Sequence, residues 1–152
     1  MLELDLQDNQ ISRIQGLGGL VMLECLNLDG NRIQSIENLG GLRYLELLHL
    51  EDNAIVDLSG LDSLECLRGL CLDGNEIAEI KGLDCLRNLE NLSLSNNYIF
   101  EVAGLESLGN LLYLNLKDNL IPRGVLEYLG GLDHEGSARF PHKFVEHCKK
   151  LR

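Results

Sequence analysis

The apolar positions of this chain recur in a block of 22 residues whose length does not vary. The third copy shows the block whole: Leu45, Leu48 and Leu50, then Asn53, Ile55, Leu58, Gly60, Leu61 and Leu64. Its Asn returns at Asn9, Asn31, Asn53, Asn75, Asn97 and Asn119. A fixed period in this range marks a solenoid, in which each repeat is one small unit supported only by its neighbours. Leu48 and Leu50 alternate with polar residues at period two and predict a short strand. After the Asn the spacing changes to three, as in Ile36, Leu39, Leu42 and in Ile80, Leu83, Leu86. That is the spacing of 3₁₀ turns, so the return limb is expected to be short and extended. Between these residues Gly16, Gly60, Gly82 and Gly104 share one column with Asn38. Gly, and after it Asn, enters positive φ at least cost, so the column predicts an obligatory bend.

The unit L-x-x-L-x-x-L-x-L-x-x-N-x-I-x-x-I-x-G-L-x-x resembles the 22-residue leucine-rich repeat of the SDS22-like class. That class includes a nuclear phosphatase-1 regulator and a subunit of a small ribonucleoprotein. The resemblance runs from Met1 to about Leu132 and implies an α/β solenoid: a right-handed leucine-rich-repeat superhelix. It implies six short parallel strands on a concave face, 3₁₀ and extended segments on the convex face, and a C-terminal capping helix. It also implies a scaffold that grips another protein on the strand face, with a phosphatase or a small GTPase as the kind of partner.

Residues 1–132 thus form six repeats, and residues 133–152 a separate C-terminal segment. The sixth repeat departs at Pro122-Arg123-Gly124, where Pro removes a donor and fixes φ, and Val125, Leu126 and Leu129 predict one helical turn beyond it. After Pro141, the residues Phe144, Val145, Cys148 and Leu151 predict an amphipathic helix that lays Phe140, Phe144 and Cys148 over the last repeat. At the other end Leu2, Leu4 and Leu6 form a terminal strand with an open edge. Polar neighbours such as Glu3 and Asp5, or chain preceding Met1, would protect it. Otherwise the edge favours self-association, and a structural homo-oligomer is the second functional reading.

Composition narrows the partner. The net charge of −11 and pI near 4.7 oppose binding to nucleic-acid phosphate and favour a basic protein. Residues 133–152 carry five Lys/Arg against three acids, so the acidity lies in the repeats. No apolar run reaches the length of a membrane span, and the first residues lack a signal-peptide pattern. Five cysteines without paired spacing suit a reducing, intracellular compartment, cytoplasmic or nuclear. The triplet Asn91-Leu92-Ser93 matches a glycosylation acceptor, but Leu92 is a core strand position.

Side chains between the strand leucines become rows across the sheet. One row reads Asp5, Asn27, His49, Cys71, Ser93, Asn115, and the next reads Gln7, Asp29, Glu51, Asp73, Ser95, Lys117, with Asp8, Asp52 and Asp118 beside it. Carboxylates on neighbouring strands repel, which a solvated face tolerates and Lys or Arg of a partner relieves. Aromatic residues gather near the C-terminal end as Tyr98, Phe100 and Tyr113, with Leu112 and Leu120 alongside. They form a contact patch or pack under the C-terminal segment. His49 and Cys71 make a thiol–imidazole pair geometrically accessible, but an open sheet supplies neither pocket nor oxyanion site, so no enzyme, catalytic residue or cofactor is expected. The cysteines show no C-x-x-C, and His142 and His147 are wrongly spaced on a helix, so no zinc site is expected either. The expected partner-binding residues are Asp29, Glu51, Asp73, His49, Cys71, Tyr98, Phe100, Tyr113 and Leu120.

Overall fold

A computed structural model describes residues 1–151. Six three-residue strands follow one another in space as in sequence: β1 (Glu3–Asp5), β2 (Cys25–Asn27), β3 (Leu47–His49), β4 (Gly69–Cys71), β5 (Asn91–Ser93) and β6 (Tyr113–Asn115). All five pairings are parallel. Leu4, Leu26, Leu48, Leu70, Leu92 and Leu114 stand opposite one another across the sheet. A constant repeat length fixes this register, because an insertion of one residue would turn every side chain to the other face.

Beyond each strand the chain turns inward around its Asn. Asn75 Nδ2 donates to the carbonyls of Leu50, Leu72 and Asp73 at 2.9, 3.0 and 3.3 Å, while its Oδ1 accepts the Ile55 N–H at 3.0 Å. One buried amide thus bonds four backbone groups in two adjacent layers, a requirement of any buried turn. The return limb carries consecutive i to i+3 bonds, Leu64 N–H to Leu61 O and Leu67 N–H to Leu64 O, both 3.0 Å. These are the tight turns expected from apolar residues three apart. The bend column has φ of +76°, +61°, +95°, +85° and +76° at Gly16, Asn38, Gly60, Gly82 and Gly104. At Gly60 a Cβ would collide with the Ile36 carbonyl oxygen. Asn38 tolerates the conformation and uses its side chain, Nδ2 donating to Ile14 O at 2.7 Å.

The leucine and isoleucine columns merge into one aliphatic core from Ile14 to Cys148. Two short helices, α1 (Arg123–Tyr128) and α2 (Pro141–Lys150), close its C-terminal end. Between them residues 136–138 run antiparallel to β6, with Leu116 N–H to Gly136 O at 3.1 Å and Ala138 N–H to Leu114 O at 2.7 Å. That segment occupies the open edge of the sheet, and α2 buries Phe144, Val145 and Cys148 over the last turns, with Cys148 Sγ 3.6 Å from Val102 O. Phe140 departs from expectation. As the residue preceding the helix it stays exposed, its ring under the Lys143 ammonium at 4.6 Å. In the first layer Leu2 is exposed and Leu4 and Leu6 are partly buried. No helix among the described residues is long and apolar enough to cross a membrane.

Candidate functional site

Because the leucine of each strand points inward, its two neighbours face outward and build the concave surface. The expected central row is present: Asn27 pairs with His49, His49 with Cys71, and Cys71 with Ser93. Asp29, Glu51 and Asp73 lie two residues further along the same strands, where the parallel ladder continues from Gly30 N–H to Glu51 O and from Asp52 N–H to Asp73 O, each 2.9 Å. The three carboxylates therefore stand side by side.

Two of them are fastened across the strand boundary. Asp29 Oδ1 accepts the Glu51 N–H at 2.6 Å, and Asp73 Oδ1 accepts the Ser95 N–H at 2.6 Å. The Ser93 hydroxyl also donates to Asp73, 2.7 and 2.8 Å from its two carboxylate oxygens. Ser93 is thereby committed to Asp73 and Leu92 is fully buried, as a strand position requires. Burial raises the pKa of Asp29, and the neighbouring Asp52 and Asp5 charges add to the rise against the lowering pull of the Glu51 N–H and His49. Burial also raises Glu51, followed by repulsion from Asp29 and Asp73. Both groups sit in a field that an incoming cation would relieve.

Asp8, Asp52 and Asp118 stand beside this row and also shape the backbone. With φ of +54°, +50° and +51° they are bend residues, sharing a column with Gly30 and Gly74. Their backbone conformation directs the chain out of the sheet before the Asn ladder, so they border the acidic row without continuing it.

The Cys71 thiol is pushed up to about 12, first by burial and then by the Glu51, Asp73 and Asp29 charges together with its hydrogen bond to Glu51. A nucleophilic cysteine needs the opposite shift. What the His49–Cys71 pairing does create is a donor cluster: ligand atoms of His49, Glu51 and Cys71 lie within 4.8 Å of one another, all half-buried. These donors have no metal-ligand spacing along the chain, because they come from adjacent strands and meet only through register.

Tyr98, Phe100, Tyr113 and Leu120 are all exposed, so they do not pack beneath the C-terminal segment. They form two groups. Tyr98 and Leu120 follow the ladder residues Asn97 and Asn119 in successive layers, with Phe100 beside them, while Tyr113 opens β6 on the concave sheet. A third concave row went unread in the sequence: Glu3, Cys25, Leu47, Gly69, Asn91, Tyr113, paired in that order. Its signal was the same spacing, two residues before the His49 row. Within it Leu47 leans over the missing side chain of Gly69, where a Cβ would lie 2.7 Å from Leu47 Cδ2.

The model of the leucine-rich repeat family matches residues 21–123, more than half of the chain. The chain belongs to the leucine-rich-repeat family. Among solved structures this leucine-rich-repeat protein is similar to internalin C2 of Listeria monocytogenes, at 30% identity over 80% of the chain with a TM-score of 0.64. It is also similar to internalin F of the same organism, at 26% identity over 87% of the chain with a TM-score of 0.52. It spans 64% and 53% of those two chains, less than two thirds of either. No curated protein matches it significantly. Leucine-rich repeats are generally non-enzymatic and commonly serve as scaffolds for protein–protein interaction.

Proposed function

We propose that this leucine-rich-repeat protein is a non-catalytic interaction module whose acidic concave face receives a Lys- or Arg-bearing segment of a protein partner. The single observation that carries the reading is the continuous row Asp29–Glu51–Asp73, whose two outer carboxylates are held in place by backbone and serine donors. Carboxylates on three adjacent strands, the outer two fixed by hydrogen bonds, present a largely preformed anionic strip, so a basic partner gains attraction at little cost in ordering the site. The exposed groups at Tyr98, Phe100 and Leu120 and at Tyr113 supply aromatic and apolar contacts at the C-terminal end of the array. The unvarying 22-residue step supports the SDS22-like subclass, and with it a phosphatase or small GTPase as the class of partner. Five free thiols, two of them exposed, support a reducing intracellular location.

The test compares proteins captured by the wild type with those captured by a variant carrying D29K, E51K and D73K. A partner retained by the wild type is then purified and its affinity measured for both. The reversal should weaken binding at least about a hundredfold, since like charges replace attraction at the centre of the face. Wild-type affinity should also fall as salt is raised. Equal affinity of the two proteins, or affinity indifferent to salt, would overturn the reading.

A further inference from the structure

The geometry points to a metal site: His49, Glu51 and Cys71 form a three-ligand site for a borderline-soft divalent ion of the zinc class, at the middle of the concave face. The inference shares His49, Glu51 and Cys71 with the partner-binding face but does not rest on that reading, because it concerns three donor atoms and one ion. Register carries it. His49 and Cys71 are directly opposed in the parallel pair of β3 and β4, and Glu51 lies two residues beyond His49 on the same face. Their imidazole nitrogen, thiol sulfur and carboxylate oxygen lie within 4.8 Å of one another. Zinc–donor bonds of about 2.0 to 2.3 Å in tetrahedral geometry place ligands about 3.3 to 3.8 Å apart, so side-chain rotations moving each donor by about 1 Å close the site.

The donor set selects the ion. One nitrogen, one sulfur and one oxygen suit zinc, whereas calcium and magnesium require oxygen ligands in larger number. The surroundings complete the case. Asp29 and Asp73 flank Glu51 and are themselves fixed, Asp29 by the Glu51 N–H and Asp73 by Ser93 and Ser95. They place negative charge next to the ion, and Asp29 holds the backbone of the ligand Glu51. A bound dication favours the thiolate form of its sulfur ligand. In the binding step the thiol S–H bond breaks, sulfur bonds to the ion and the proton leaves to solvent. Glu51 changes from accepting the thiol hydrogen to ligating the metal. A fourth position faces outward, open to water.

Cobalt(II) is the probe, titrated near neutral pH into a background protein carrying C66S and C85S, which removes the two exposed thiols. The expected result is one equivalent bound, with tetrahedral ligand-field bands and a thiolate-to-cobalt charge-transfer absorption. Zinc should displace it stoichiometrically and excess magnesium should not. About one proton should be released per ion in weakly buffered solution. Cys71→Ser should abolish the charge-transfer band, and His49→Ala and Glu51→Gln should each weaken binding at least about tenfold. Circular dichroism checks that these half-buried replacements leave the fold intact, and zinc should raise the melting temperature of the background protein but not of its Cys71→Ser form. A charge-transfer band that is absent or survives Cys71→Ser overturns the site, as does cobalt binding that magnesium displaces and D29N with D73N alone abolishes.

Discussion

Asn75 concentrates in one residue what the chain does in full five times, at Asn31, Asn53, Asn75, Asn97 and Asn119. Its amide serves three carbonyls and one N–H, and it is only 5% exposed, so water cannot take over those partners. Asn75→Ala should lower stability by about 3 to 5 kcal/mol, given about 1 to 3 for each buried group left without a partner. Asn9, exposed in the first layer, bonds only the Leu6 and Gln7 carbonyls, and its replacement by Ala should cost about 1 kcal/mol. Urea unfolding of the two variants measures the difference. Glu51 acts in the opposite sense. Its carboxyl is raised by burial and by Asp29 and Asp73, so the folded protein binds that proton more tightly than the unfolded chain does. The resulting penalty is fully present above the raised pKa and vanishes as pH falls below the ordinary carboxylate value. Glu51→Gln should therefore stabilise by about 0.5 kcal/mol at neutral pH, the cost of a like-charged strand neighbour, and by nothing near pH 3. Thermal melts of both proteins across that range follow the sign.

At the scale of the element, the solenoid must end, and the ending combines a segment legible in sequence with one that was not. The helix from Pro141 was readable, because Pro suits a first turn and Phe144 and Cys148 recur at helical spacing. The antiparallel segment at 136–138 was not, since Gly136-Ser137-Ala138 carries no alternation and its bonds to Leu114 and Leu116 are made by backbone alone. Phe140 resembled a core residue by spacing, yet it precedes the helix and faces Lys143. Phe144 is fully buried, and Phe144→Ala should cost about 3 to 5 kcal/mol. Because each layer is supported only by its neighbours, the loss should open the C-terminal end first. Hydrogen exchange is expected to accelerate at the Leu116 and Ala138 amides while the Leu48 and Leu70 amides in the middle of the sheet stay protected.

Over the whole molecule, stacking turns a sequence interval of 22 residues into a distance of one strand spacing. Each neighbouring pair, Asp29 with Glu51 and Glu51 with Asp73, therefore lies about one strand spacing apart, within the Debye length of about 8 Å at physiological salt, and the three present themselves to a partner as a single charged strip. The salt dependence expected of partner binding belongs to this scale: neutralising all three with D29N, E51Q and D73N should flatten it more than any one change does. Since the sheet is rigid and its faces fixed, recognition is decided by which side chains occupy the outward columns. The same register that aligns the carboxylates brings an imidazole, a thiol and a carboxylate into reach of one ion.

By itself the sequence determined the repeat, the strand and turn positions, the bend column, the aliphatic core and the identity of the facing rows. Each follows from local periodicity and from φ restrictions that a single residue type imposes. Only the tertiary structure decided which groups meet and in what environment. It split the aromatic residues into two sets, made Asp8, Asp52 and Asp118 bend residues, bound Ser93 to Asp73 and drew His49, Glu51 and Cys71 together. Those outcomes depend on burial, on side-chain direction and on distances between layers, quantities that exist only once separate turns of the chain lie against one another.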